Sequence, residues 1–167
     1  MFRGWAELKN GDVAEGMSLL RSGWDAHRAT GAGLLVPYYT ALLASACEIA
    51  GQIEESFALV DDALRMIERT GERWFAAEVH RQKGQLLDRQ GQSDAAEEMY
   101  RKALSVAADQ EAKLWELRAT ANLARLHRDL GRRAEARELL APIYGWFTEG
   151  FDGPDLKQAK ALLDEFV

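Results

Sequence analysis

Apolar residues along this chain recur at the three- and four-residue spacing of a helix face, with no sustained two-residue alternation of the kind a strand needs. Ala96, Met99, Tyr100, Ala103, Leu104 and Ala107 follow this rule, as do Leu43, Ala46, Cys47 and Ala50, and again Leu123, Leu126, His127 and Leu130. Isolated glycines punctuate the runs. The pattern predicts helices near 2–10, 13–29, 35–50, 53–70, 73–90, 93–109, 113–130 and 133–147. Asp12 followed by Glu15 reads as a capping box, and Ser93 is placed to cap its own helix. After 147 the stretch "EGFDGPD" breaks the pattern. Pro154 suits the first turn of a last helix, over 154–166, which carries Leu156, Ala159, Leu163 and Phe166 on one face.

The glycines keep time. Gly11, Gly51, Gly91 and Gly131 stand forty residues apart, and other columns align on them. Seven residues earlier stand Gly4, Ala44, Gly84 and Ala124; five later stand Gly16, Ser56, Ala96 and Ala136. All eight are small, as close helix crossing requires, because the side chain at a contact sets the distance between axes. Large residues fill the ninth column after the turn: Leu20, Val60, Tyr100 and Leu140. Each unit is thus two antiparallel helices joined by a tight glycine turn. The expected fold class is all-α, a right-handed α-solenoid of about three and a half units. It forms one repeat domain over 1–167, with units near 1–30, 34–70, 73–110 and 113–147 and a capping helix over 154–166.

At "KGQLLDRQGQSDAAEEMYRKAL" the chain resembles the tetratricopeptide repeat, with small Gly84, turn Gly91, small Ala96, aromatic Tyr100 and small Ala103 in the family's order. The resemblance runs from about 34 to 147. The forty-residue period is longer than the family's usual 34 or so, and the proline that often ends a unit is missing. A narrower likeness lies in "RATGAG", "ERTGERW", "ELRATANLARL" and "GWFTEGFDGPDLKQAKALLDEF", which look like the C-terminal end of large bacterial signalling proteins. Those join a class III adenylate cyclase domain or a regulatory ATPase domain to a tetratricopeptide tail. That resemblance implies a fragment of a larger protein, with catalytic parts upstream of Met1.

Composition narrows the function classes. No apolar run is long enough to cross a bilayer, and one cysteine fits a reducing, cytoplasmic setting. A net charge of -6 argues against general nucleic-acid binding, although basic residues outnumber acidic ones between Lys113 and Arg137. There is no phosphate-cradling glycine loop, no H-E-x-x-H and no cysteine pair. His27, His80 and His127 lie in different units and read as packing residues; Cys47 sits in a packing column without a nearby base to activate it. Asp61–Asp62 and Glu97–Glu98 read as solvated helix face. Trp74 and Trp115 are expected to open the first helices of their units as packing wedges. No catalytic, metal or cofactor site is expected, and no enzymatic activity.

The tetratricopeptide resemblance implies that first helices line a concave face that holds an extended peptide. By offset, that face carries Tyr38, Ser45, Arg81, Gln85, Arg89, Arg118, Asn122, Arg125 and Arg128. Arginines suit carboxylate or phosphate partners through forked hydrogen bonds; pairing with Glu78, Asp88 and Asp129 nearby is the plainer expectation for half of them. The leading reading is a regulatory module that binds a protein or peptide partner. The alternatives are a structural or self-association unit, a two-fold dimer through Phe2, Trp5 and Leu8, a small-molecule-sensing tail, and, last, a nucleic-acid contact around Arg125–Arg137.

Overall fold

A computed structural model describes residues 1–166. Among them are nine helices and no strand: α1 Phe2–Lys9, α2 Val13–Ala29, α3 Val36–Ile49, α4 Ile53–Thr70, α5 Ala76–Arg89, α6 Ser93–Asp109, α7 Lys113–Asp129, α8 Arg133–Trp146 and α9 Pro154–Asp164. The fold is the expected all-α succession of helix hairpins. The chain divides into two compact units, Met1–Phe75 and Ala76–Val167.

The glycine register has a local cause. Gly11, Gly51, Gly91 and Gly131 all hold positive φ, between 73° and 100°, the left-handed conformation that only glycine adopts without strain. Each ends a first helix in the same way. Gln52, Gln92 and Arg132 donate their backbone N–H to Cys47, Leu87 and His127 at 2.8, 3.0 and 2.7 Å, closing the turn over the last helical carbonyls. Asp12 caps α2 by accepting from the Glu15 N–H at 3.1 Å. Ser93 does not cap α6. Gln92 holds the N-cap and Ser93 is already the first helical residue.

In the first unit the hairpins α1–α2 and α3–α4 close over Leu8, Met17, Leu20, Trp24, Leu42, Leu43, Ala46 and Cys47. The small columns meet here. A Cβ on Gly4 would lie 2.8 Å from the Gly16 carbonyl oxygen, and one on Gly16 would lie 2.7 Å from the Leu8 nitrogen. One turn later in the series, the Ser56 hydroxyl donates to the Ala44 carbonyl at 2.8 Å, so even the polar member of the column is satisfied in the core.

In the second unit α5 pairs with α6, and α7 with α8. Helix α7 also packs on α5 and α6, and α9 repeats that relation one step on by packing on α7 and α8. Leu156, Ala159 and Leu162 of α9 are buried with Leu117, Leu140 and Ile143, the closure expected of a terminal helix. Helix α5 begins at Ala76 rather than near residue 73, because Gly71 ends α4 at φ 72° and the next residues turn before helix resumes. Trp74 therefore lies outside the helix and is 42% exposed, not wedged in a core.

Candidate partner-binding surface

Helical spacing puts Arg81 and Gln85 on one face of α5, and Arg118, Asn122 and Arg125 on one face of α7. The second unit joins these faces through charge. Arg81 donates to both Glu78 oxygens at 2.9 and 2.7 Å and to the Gln85 amide oxygen at 2.7 Å. Arg118 makes a forked pair with Asp155 of α9, 2.9 Å on each arm, and stands 3.7 Å from Glu78 of α5. Its guanidinium is held above the ordinary arginine range, chiefly by Asp155. Arg128 reaches Asp129 at 2.8 Å and Glu165 at 2.7 Å.

Arg125 differs from its neighbours. It donates to Asn122 at 3.1 Å and, at the 3.5 Å limit, to Gln158 of α9, both neutral amides. Among the described residues no carboxylate forms an ion pair with it. Burial lowers its pKa first, and repulsion from Arg128 and Arg81 lowers it further. Beside it, the buried Tyr100 phenol is pushed up to about 12, chiefly by desolvation. A half-buried cation with only neutral partners is costly unless an anion completes it. It can take one carboxylate in a forked geometry.

The structure thus brings Arg81, Gln85, Arg118, Asn122, Arg125 and Arg128 together. Arg89 stands on the exposed last turn of α5. Tyr38 and Ser45 lie on α3 in the first unit, where Tyr38 joins an aromatic cluster and Ser45 is half-buried. The self-association set does not hold as a surface. Phe2 is 62% exposed and Trp5 half-buried, but Leu8 is 3% exposed and belongs to the core under α2 and α3.

Sequence reasoning missed the acidic partners supplied by α9 and misplaced Glu97. The latter is not a solvated face residue. It accepts from Arg101 at 2.7 Å and from Arg132 at 2.7 Å, and the buried His127 ring brings Nε2 to 3.3 Å. That ring contact is electrostatic, since neither His127 nitrogen is aligned for a hydrogen bond. Arg132 foremost, with Arg101 and His127, holds the Glu97 carboxyl down at about 2. Glu98, its neighbour, is exposed as expected. Cys47 is buried, its thiol pushed up to about 11 by desolvation, which makes it a poor nucleophile. Among the described residues no group of three or more metal-ligating side chains gathers.

Models of the tetratricopeptide repeat match residues 37–109 and 117–142. The chain is 32% identical over 133 residues to an uncharacterized protein of Rhizobium meliloti (strain 1021); the match covers 79% of this chain and 13% of that protein's length. Among solved structures, a Podosopora anserina protein described as a kinesin light chain with nearly identical TPR-like repeats superimposes with a TM-score of 0.73 at 20% identity, over 98% of this chain and 81% of that one. BtubC (BKLC) from P. vanneervenii superimposes with a TM-score of 0.73 at 17% identity, over 96% and 74% of the two chains. At such identities the likeness is one of fold.

Proposed function

Since the chain belongs to the tetratricopeptide repeat family, whose repeats are generally protein–protein interaction modules, we propose that its α5–α7 face binds an acidic segment of a protein partner. One observation carries this reading: Arg125 is a half-buried guanidinium whose hydrogen bonds go to neutral amides, while the arginines around it are matched to carboxylates. A partner's Asp or Glu side chain, or a chain-end carboxylate, would supply the missing anion. Gln85, Asn122 and Gln158 offer further hydrogen bonds to the segment's backbone.

The same pairing argues against nucleic acid as the ligand. Tracking a phosphate backbone takes several uncompensated cations in a row, and here Arg118, Arg128 and Arg132 are already committed to Asp155, Glu165 and Glu97. The wider setting we propose is a regulatory tail of a larger bacterial signalling protein. The likeness of the C-terminal stretch to cyclase- and ATPase-linked tails supports it, as does kinship with a much longer protein. Sequencing the gene on both sides of this segment checks it: a cyclase or ATPase domain in frame is the expected result.

Fluorescence anisotropy with labelled peptides tests the site itself. An Asp/Glu-containing peptide is expected to bind, its Asn/Gln counterpart to bind far less. Arg125→Gln should weaken the acidic peptide about 10- to 100-fold, the worth of a hydrogen bond to a charged group, with little loss of stability, because no ion pair is broken. Equal binding by wild type and Arg125→Gln would sink the assignment.

A further inference from the structure

The first unit carries a second, chemically opposite surface. Tyr38 of α3 stands with its ring 5.2 Å from Trp74 and 4.9 Å from Phe75, the latter edge-on at 89°, and Trp74 lies 5.2 Å from Phe75. These rings come from two places in the chain. Glu72 ties them: its Oε1 accepts from the Leu35 backbone N–H at 3.0 Å, at the start of α3, and from the Trp74 indole N–H at 3.1 Å. The contact to Leu35 fixes a residue that itself holds a positive φ of 63°. An exposed aromatic group is therefore held in place by an anion, not left to move.

Glu72 has no lysine, arginine or histidine within ion-pair distance among the described residues. It is only half-buried. Around it the first unit is acidic, with seven Lys and Arg against eleven Asp and Glu over 1–75, a net charge of -4. An indole face beside an uncompensated carboxylate is the arrangement that attracts a cation, through the ring quadrupole and through charge. A neutral proline-rich segment would use the rings but leave the Glu72 charge unmatched.

We propose that Tyr38, Trp74 and Phe75, with Glu72 beside them, form a docking site for an arginine or lysine side chain of a basic segment of a partner protein. The side chain's cationic head rests on the exposed indole and its charge is met by the Glu72 carboxylate; its alkyl stem packs along Tyr38 and Phe75. The site uses none of the arginines of the second unit, so either surface can fail alone.

The probe is a fluorescein-labelled peptide of alternating glycine and arginine, titrated at low salt against the whole chain. A control peptide carries citrulline, which keeps the shape of arginine without its charge. Binding of the arginine peptide, with the Trp74 indole N–H and the Leu35 amide shifting in nitrogen-15 correlation spectra, is the expected result. Glu72→Gln keeps an acceptor for both of its hydrogen bonds and should weaken binding about two- to fivefold, as removing a partly exposed ion pair does. Trp74→Leu should weaken it about two- to thirtyfold. Three results would each overturn the proposal: no binding of the arginine peptide, equal binding of the citrulline peptide, or an affinity unmoved by both substitutions. Should Trp74→Leu fail to fold, Glu72→Gln together with the two shifts in the wild-type protein still decides.

Discussion

Glu97 shows how one side chain can organise a joint between helices. It lies on α6, yet its partners come from α6, α7 and the turn before α8: Arg101, His127 and Arg132. The carboxyl stays ionised down to about 2, against an ordinary 4.5. In the unfolded chain it protonates near the ordinary value. Its contribution to stability is therefore fully present above about 4.5 and is lost as pH falls from there through about 2. Glu97→Gln should lower the denaturation midpoint at neutral pH, and the gap between variant and wild type should close progressively below pH ~4.5. Urea titrations of both proteins at a series of pH values check this; a gap independent of pH would mean that charge plays no part. This role is not legible in the residue order, because the decisive partner, Arg132, lies 35 residues away and only the packing of α6 on α7 brings it near.

At the level of the helix, what could be read from sequence was what local physics dictates. Helix faces followed from the spacing of apolar residues, and hairpin turns from glycines whose left-handed conformation other residues resist. The start of α5 was misread because Gly71 closes α4 in the left-handed conformation and the Glu72 carboxylate then holds the Trp74 indole in the turn before the helix. The small columns were legible too, and the contacts explain their strictness. A Cβ on Gly84 would come within 2.6 Å of the Tyr100 ring, which is 1% exposed and cannot swing aside. Gly84→Ala gains about 1 kcal/mol in helix propensity but forces an overpacked contact that costs about 1–3 kcal/mol. The net expectation is a loss of stability, measured by chemical denaturation, along with disturbed packing of Tyr100 against Leu123 and Leu126. A stabilised Gly84→Ala protein would show that α5 and α6 can separate at that crossing.

For the whole chain, the forty-residue period implies that stability is assembled from neighbours rather than from one central core. Each compact unit has its own buried set, around Leu20 in the first and Leu140 in the second. The candidate surfaces follow the same division, aromatic and acidic in one unit, arginine-rich in the other. Offsets from the turn glycines placed Arg81 and Gln85 on one helix face and Arg118, Asn122 and Arg125 on another. They could not reveal that α9 supplies Asp155 to Arg118 and Glu165 to Arg128 but only the neutral Gln158 to Arg125, since those contacts join residues far apart in sequence and depend on where the last helix docks. Leu20→Ala and Leu140→Ala should each cost about 2–5 kcal/mol, the usual range for a buried leucine. Hydrogen exchange distinguishes how that loss is distributed. In a nearest-neighbour array, Leu20→Ala speeds exchange mainly in α1–α4 and Leu140→Ala mainly in α5–α9. Acidic-peptide binding by the Leu20→Ala protein should then persist at temperatures where its first unit already exchanges freely. Uniform loss of protection across all the helices in both variants would instead mark the chain as one cooperative block, in which neither surface could act without the other's unit being folded.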